Sequence, residues 1–341
     1  MAITPFIIPI FLPQAGCPHQ CVFCNQRAIT GVRKAYPTLS ALAENITTFL
    51  TYNHRHNPDI QLSFYGGNFL GLSDTYLIQL LDLAQSFVDK KQINSIRFST
   101  RPDTVTEKQL QLIKNYTIKT VELGVQSMDD KVLQCSQRGH TSAVSRKATA
   151  LLKSSGYTIG HQLMPGLPGE NDQSFIQTVK HVIDMHPDFV RLYPTVVLKG
   201  SLLANWYKSG RYHPMTLENA VTIVKNSVIL FQENGIKVIR LGLHSQEHLK
   251  ANIVAGPFHP SFGHMVYSEQ MLDRMSQQIK ASHSDTISIL ANPKDMSLLT
   301  GIHKKNIAKL KTSFPEKRIK IISDPGIEKI CIIEHRLFIN S

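Results

Sequence analysis

The feature that most limits what this chain can fold into is a rhythm. Across the first two-thirds, short β-branched or apolar runs alternate with longer amphipathic ones. The strand-like runs are Phe6–Phe11, Ile60–Tyr65, Ile93–Ser99, Thr120–Gly124, Tyr157–Leu163, Phe189–Tyr193 and Val238–Leu241. The helix-like runs between them are Leu39–Tyr52, Asp74–Asp89, Thr106–Asn115, Ala143–Ser154, Asp172–Asp184 and Leu217–Glu233. Ser73 or Asp74, Thr106 and Thr216 stand where a side-chain oxygen can accept from the unpaired N–H groups of a first helical turn. Strands separated by helices pair in parallel through crossovers. Six or so such units predict an α/β fold, a partial or full (β/α) barrel of the TIM type. In such barrels the reacting groups gather at the carboxyl ends of the strands.

The loop after the first strand-like run carries Cys17, Cys21 and Cys24, spaced C-x3-C-x2-C. Soft thiolates suit iron–sulfur clusters. Three of them can hold three irons of a 4Fe–4S cube and leave the fourth iron open to an external molecule. That points to a catalytic centre, because electron-transfer cubes usually close all four corners with Cys. Zinc fits poorly, since three Cys lack a close fourth ligand for a tetrahedral site and His19 is cramped within the loop. A disulfide framework fails on count, with three of the five cysteines inside eight residues. Cys135 and Cys331 read as buried small hydrophobes.

Composition narrows the setting. No run of about twenty apolar residues is present, so no transmembrane helix is expected. The N-terminus has no basic n-region or cleavage pattern, so no signal peptide is expected. The bunched cysteines suit a reducing interior, with the cytoplasm as default. The net charge is +12, and residues 280–341 hold 11 of the 37 Lys and Arg but 6 of the 25 Asp and Glu. A basic balance of this kind attracts phosphate-rich partners such as nucleic acid.

The later strand ends are polar or glycine-rich in the expected order: Tyr65-Gly66-Gly67-Asn68, Ser99-Thr100-Arg101-Pro102-Asp103, Glu122 to Ser127 followed by Arg138-Gly139-His140-Thr141, and Gln162 to Glu170. Together with the three-Cys loop, in which Phe23 precedes the last Cys, these segments resemble the signature of radical S-adenosylmethionine (SAM) enzymes. The stretch Arg191 to Gly200, then Trp206 and Gly210-Arg211-Tyr212, narrows the resemblance to the radical core of the elongator catalytic-subunit family, which modifies wobble uridine in tRNA. Oxygen-independent coproporphyrinogen oxidases share the core more distantly.

The resemblance implies a 4Fe–4S cluster on Cys17, Cys21 and Cys24, with SAM chelated at the open iron and cleaved to a 5′-deoxyadenosyl radical. It implies that Gly66, Gly67 and Asn68 meet the amino group of SAM. Ser99, Gln126, Arg138 and Gln162 would meet its ribose and carboxylate, Arg138 by bidentate pairing. Phe23 takes the usual aromatic position, and Lys199, which lies where those relatives carry a basic residue, is the candidate catalytic side chain. A ferredoxin, flavodoxin or reductase would donate the electron. Asn68 replaces the usual Glu or Thr, Ser99 the usual Glu, and the first Cys gap is shorter than in elongator subunits. The residues after Leu243 leave no room for an acetyltransferase domain of that family, so acetyl-CoA-dependent chemistry is not expected.

Gly242 to Ser245 and Ala255 to Pro260 read as a loop across the barrel mouth, which would bring His244 and His259 near substrate. Beyond it come a helix from about 263 to 281, a strand Thr286–Leu290, helices Asp295–Leu299 and Lys304–Thr312, and strands Arg318–Ile322 and Lys329–Glu334. This β-α-α-β-β order resembles a degenerate KH domain, whose G-x-x-G loop clamps a nucleic-acid backbone. Here Lys304 takes the place of the second glycine after Gly301. The expected organisation is a (β/α)6 barrel over 1–243, a connecting loop and helix over 244–281, and a small basic α+β KH-like domain over 282–341. The expected activity is radical modification of an RNA base, in tRNA. Two rival readings remain: a radical enzyme on a small molecule such as a tetrapyrrole precursor, and a non-catalytic iron–sulfur redox sensor that binds RNA.

Overall fold

The computed structural model describes residues 5–32, 36–53 and 57–327, and the backbone of 331–334. Two compact units form, one from Met1–Ala220 with Ser227–Phe258, the other from Val221–Asn226 with His259–Ser341.

In the first unit the elements follow in the order β1 (Phe6–Phe11), α1 (Gln26–Thr30), α2 (Leu39–Thr51), β2 (Ile60–Tyr65), α3 (Asp74–Asp89), β3 (Ser95–Thr100), α4 (Glu107–Ile113), β4 (Ile118–Gln126), α5 (Asp130–Cys135), α6 (Ser142–Ser154), β5 (Thr158–Leu163), α7 (Asp172–Asp184), β6 (Phe189–Leu192), β7 (Val197–Leu198), α8 (Leu202–Lys208), α9 (Leu217–Glu233), β8 (Lys237–Leu241), α10 (Glu247–Asn252) and β9 (Ile253–Ala255). Seven strands make one sheet in the order β1-β2-β3-β4-β5-β6-β8. Every neighbouring pair in it is parallel. Strands β1 and β8 stand at its two edges and do not pair, so this is an open part-barrel. All seven strands fall on the runs read from the sequence.

Period-two alternation sorts the side chains. In β1, Ile8 and Ile10 are buried, while Ile7, Pro9 and Phe11 face a central cavity. Leu77, Leu80, Leu81 and Ala84 bury one stripe of α3. Phe64, Phe69 and Phe98 stack with centroids 4.7 Å apart in each pair. The caps form at Thr38, Ser73, Thr106 and Thr216, and Asn171 closes a capping box on α7. Each such cap is worth about 1 kcal/mol.

Four elements were not read from the sequence, because their local signal is short: α1, α5, α8 and α10. Between the two stretches read as a loop, α10 and β9 form, and β9 pairs antiparallel with β7. Cys135 is exposed at the end of α5 rather than buried. Val132 and Leu133 take the inner arc of that short helix, and Cys135 falls outside it.

In the second unit α11 (Phe262–Ala281) is followed by β10 (Thr286–Ala291), α12 (Met296–Thr300), α13 (Lys305–Ser313), β11 (Arg318–Ser323) and β12 (Cys331–Glu334). The β-α-α-β-β order holds. Strand β10 is central, parallel to β11 and antiparallel to β12. Its core joins Leu272, Met275 and Ile279 of α11 to Ile287, Ile289, Leu299, Leu310 and Phe314. The turn into α13 is left-handed at Gly301, His303 and Lys304, with φ of 73°, 52° and 58°. Lys304 therefore adopts the glycine-like conformation despite its Cβ. The start of the last expected strand, Lys329, and the side chain of Cys331 lie outside the described residues.

Candidate active site

A cavity of about 880 Å³ opens at the carboxyl ends of the strands in the first unit. Its wall is assembled by the strand parity just described. Cys17, Cys21 and Cys24 all lie on it, together with Phe23 of the same loop.

That loop is anchored on several sides. Its start is held by Asn68, whose N–H donates to Ala15 O at 2.8 Å and whose Nδ2 donates to Gly16 O at 2.8 Å. Its middle is held by Val22, whose N–H donates to Ser136 O and whose carbonyl accepts from Leu203 N–H at 2.8 Å. Its end is held by Asn25, whose Nδ2 donates to Lys199 O at 2.7 Å. Val22 packs with Val197, Leu203, Ala204 and Tyr212, with Phe23 and Trp206 alongside. Gly16 has φ of +70°, and a Cβ there would lie 2.2 Å from Asn68 O. The backbone approach that fixes Cys17 thus requires glycine.

Among the described residues, no three His, Cys, Asp or Glu side chains converge in a manner that would hold one metal ion. A tetrahedral zinc needs such convergence. A cube takes one thiolate on each of three different irons, and three thiols of one loop on one cavity wall can supply them. Burial raises the pKa of Cys17, assisted by Cys21, against the pull of Arg101 and Arg138. Burial pushes Cys24 up to about 12. Both must lose a proton to become ligands.

Arg138 is buried on the wall. Its Nη1 donates to Cys21 Sγ at 3.1 Å and its Nη2 to Gly124 O. Its Nε is buried without a partner. Gln162 Nε2 donates to Gln126 Oε1 at 3.2 Å, and Gln126 sits at φ of +69°. Ser99, Gly66 and Gly67 complete this side of the wall. A Cβ on Gly67 would meet Ala15 O at 2.5 Å and Leu12 O at 2.6 Å. Gly67 therefore also lets the cysteine loop pack close.

Two residues singled out in the sequence stand off this wall. Asn68 is fully buried, and its Oδ1 accepts from Thr100 Oγ1 at 2.7 Å, Thr104 Oγ1 at 2.8 Å and Arg101 N–H at 3.0 Å. With Nδ2 on Gly16, its whole amide is engaged in stapling the cysteine loop to the turn after β3. Lys199 is exposed at the end of β7, and its part in the site is made by its backbone carbonyl. His244 lines the cavity, where its Nδ1 lies 3.1 Å from Arg240 Nη2. His259 belongs to the second unit.

The sequence reading assigned no role to an ionic cluster deeper in the cavity. Glu122 accepts from Arg97 Nε at 2.7 Å and pairs with Arg191 Nε at 2.6 Å, and Tyr65 OH donates to it at 3.2 Å. Burial disfavours the Arg191 charge, but Glu122 and the flanking tyrosines outweigh it and raise its pKa above the usual arginine value. Arg101 was likewise passed over. Its guanidinium pairs with Asp103 at 2.8 Å, donates to Arg138 O, and reaches Cys21 Sγ at 3.8 Å. Parity was the available signal: Glu122 stands four residues before Gln126, Arg191 two before Tyr193 and Arg101 two after Ser99, each an even step along the same inner face.

Comparison with known proteins agrees with this geometry. A family model described as the Radical SAM superfamily matches residues 11–182, and one described as Radical_SAM C-terminal domain matches 187–274. The tRNA uridine(34) acetyltransferase of Methanocaldococcus infernus is 28% identical over 301 residues, which is 76% of this chain and 55% of that protein. The chain thus spans little more than half the length of that relative. Protein YhcC of Escherichia coli K12 is 28% identical over 218 residues, 60% of this chain and 68% of that protein. A solved structure of the archaeal M. infernus Elp3 with an N-terminal deletion shares the fold, with a TM-score of 0.62 at 22% identity over 80% of this chain and 63% of that one.

Proposed function

The chain belongs to the radical SAM superfamily, and from that premise we propose that it modifies a base of RNA, in tRNA. The observation that carries the proposal is one cavity wall that bears three thiols and, beside them, a buried guanidinium with an unpartnered Nε. The family uses a 4Fe–4S cluster and SAM, and the donor set suits both. Bound there, they supply one-electron cleavage of the sulfonium and a 5′-deoxyadenosyl radical that takes hydrogen from substrate.

In this reading Cys17, Cys21 and Cys24 ligate three irons. Arg138 offers its free Nε to the carboxylate of SAM, while Nη1 stays on Cys21. Ser99, Gln126 and Gln162 supply donors and acceptors for the ribose. Gly66 and Gly67 leave the wall bare for close approach. Phe23 packs beside the cluster loop and excludes water. About 880 Å³ lies within the usual range for ligand pockets. Asn68 acts through the loop it staples, and Lys199 takes no part in the chemistry.

The RNA part of the reading rests on the tRNA-modifying relative and on the second unit. Exposed His303, Lys304 and Lys305 gather at the left-handed turn before α13, and Arg318 and Lys320 share the outer face of β11. Such a surface suits a phosphate backbone. The setting would be the cytoplasm, with a ferredoxin- or flavodoxin-class electron donor. Among the described residues no helix is long and apolar enough to cross a membrane.

The test has two arms. Anaerobic reconstitution with dithionite and SAM should yield 5′-deoxyadenosine, and Cys17→Ala should abolish it. Nucleoside mass spectrometry of tRNA from cells with and without the protein should then reveal the modified base. The double variant Lys304→Glu/Lys305→Glu should lose tRNA turnover and keep SAM cleavage. Point substitutions serve here because truncation at residue 282 would bare the core that α11 shares with β10. An unchanged nucleoside profile, with deoxyadenosine still formed, would favour a small-molecule substrate.

A further inference from the structure

Arg101 lines the same cavity as Arg138 and reaches Cys21 Sγ, a contact given no role above. It is buried at 4% exposure. Its Nη1 lies 3.8 Å from the sulfur, its Nε and Nη2 hold both oxygens of Asp103 at 2.9 and 2.8 Å, and Nη2 also donates to Arg138 O. The charge is thus fixed in place by a carboxylate on one side and faces the cysteine loop on the other, where its hydrogen bond goes to Cys21. Cys21 alone among the three cysteines receives two guanidiniums, from Arg101 and Arg138. Charges and hydrogen bonds on a ligand sulfur are among the groups that set cluster potential.

We infer that Arg101 tunes the reduction potential of the cluster through Cys21, with Asp103 as its counterweight. The inference rests on the proposed ligation of the cube by Cys21. The step it governs is the entry of one electron into the oxidised cube from an external one-electron donor of the ferredoxin or flavodoxin class; no bond to the protein changes and no proton moves. A cation near the thiolate favours the more negative, reduced cube, and a carboxylate opposes it. Arg101 acts on the cluster through Cys21 and is in that respect a positioning residue.

The test is EPR-monitored redox titration of the reconstituted cluster in the absence of SAM. Arg101→Gln should lower the midpoint, cutting the reduced-to-oxidised ratio at a fixed potential about tenfold, or ~59 mV for one electron. Asp103→Asn, which frees the guanidinium, should move the midpoint upward. A merely structural role would not give shifts of opposite sign. Unchanged midpoints, or shifts in the same direction, overturn the inference. If Arg101→Gln fails to fold, Asp103→Asn decides alone: an upward shift supports the inference and none overturns it. Iron and sulfide analysis of the wild-type protein separates the two levels, because a wild type that holds no 4Fe–4S cluster refutes the ligation itself.

Discussion

Asn68→Ala separates a structural staple from a cosubstrate contact. The side chain is fully buried and makes four hydrogen bonds. Two partners can adjust on its removal: Thr100 and Thr104 already stand 3.1 Å apart and can pair, and Thr104 also reaches Arg101 O. Arg101 N–H would be left buried and unpaired, and half-buried Gly16 O would lose its side-chain donor. A fully orphaned group costs about 1–3 kcal/mol, and the half-buried Gly16 carbonyl costs less, so the variant should lose about 2–4 kcal/mol. For a unit of this size about 2–4 °C of melting temperature goes with each kcal/mol, so a loss of about 3 kcal/mol lowers Tm by roughly 6–12 °C. The assay is thermal denaturation of iron-free protein without SAM, with amide exchange at Arg101 as the local readout. A Tm within 1 °C of wild type, accompanied by weakened SAM binding, would refute the reasoning and return Asn68 to the cavity.

Three further outcomes follow from the same geometry. Gly16→Ala forces a Cβ against Asn68 O at φ +70° and should cost about 2 kcal/mol or more; the check is denaturation together with iron loading, both of which should fall. Glu122→Gln strands the buried charges of Arg97 and Arg191 and should destabilise by about 3–5 kcal/mol, with little response to added salt in melting curves. His161 is fully buried, and burial lowers its pKa from 6.5 to about 3. The unfolded chain therefore binds a proton that the folded chain refuses. Stability is intact above pH 6.5 and falls as pH drops toward 3, by up to roughly 1.4 kcal/mol per unit; His161→Asn should flatten that part of the stability profile.

The seven strands of the sheet were legible because each is a short apolar run bounded by a capped helix, and that pattern is local. The C-terminal β-α-α-β-β order was legible from its apolar runs alone, since neither α12 nor α13 opens on a side-chain cap. The helices α5 and α10 were not, since six residues carry too little periodicity to register. Cys135 was misplaced because burial on so short a helix depends on which face meets the sheet. Among the site residues, the three cysteines and the strand-end polar groups could be picked out by spacing and position. The different roles of Gln126 and Asn68 could not. Both end strands as polar amides, yet one lines the cavity and the other is buried beneath it.

By itself the amino-acid order determined a parallel, crossover-linked sheet and a thiol tripod on its first carboxyl-end loop, because alternation, caps and spacing act between near neighbours in the chain. Which side chains meet was decided only in three dimensions. Asn68 finds Gly16 and Thr100, Arg101 finds Cys21, and Glu122 gathers Arg97 and Arg191. These partners lie tens of residues apart, and strand register and twist alone bring them within bonding distance.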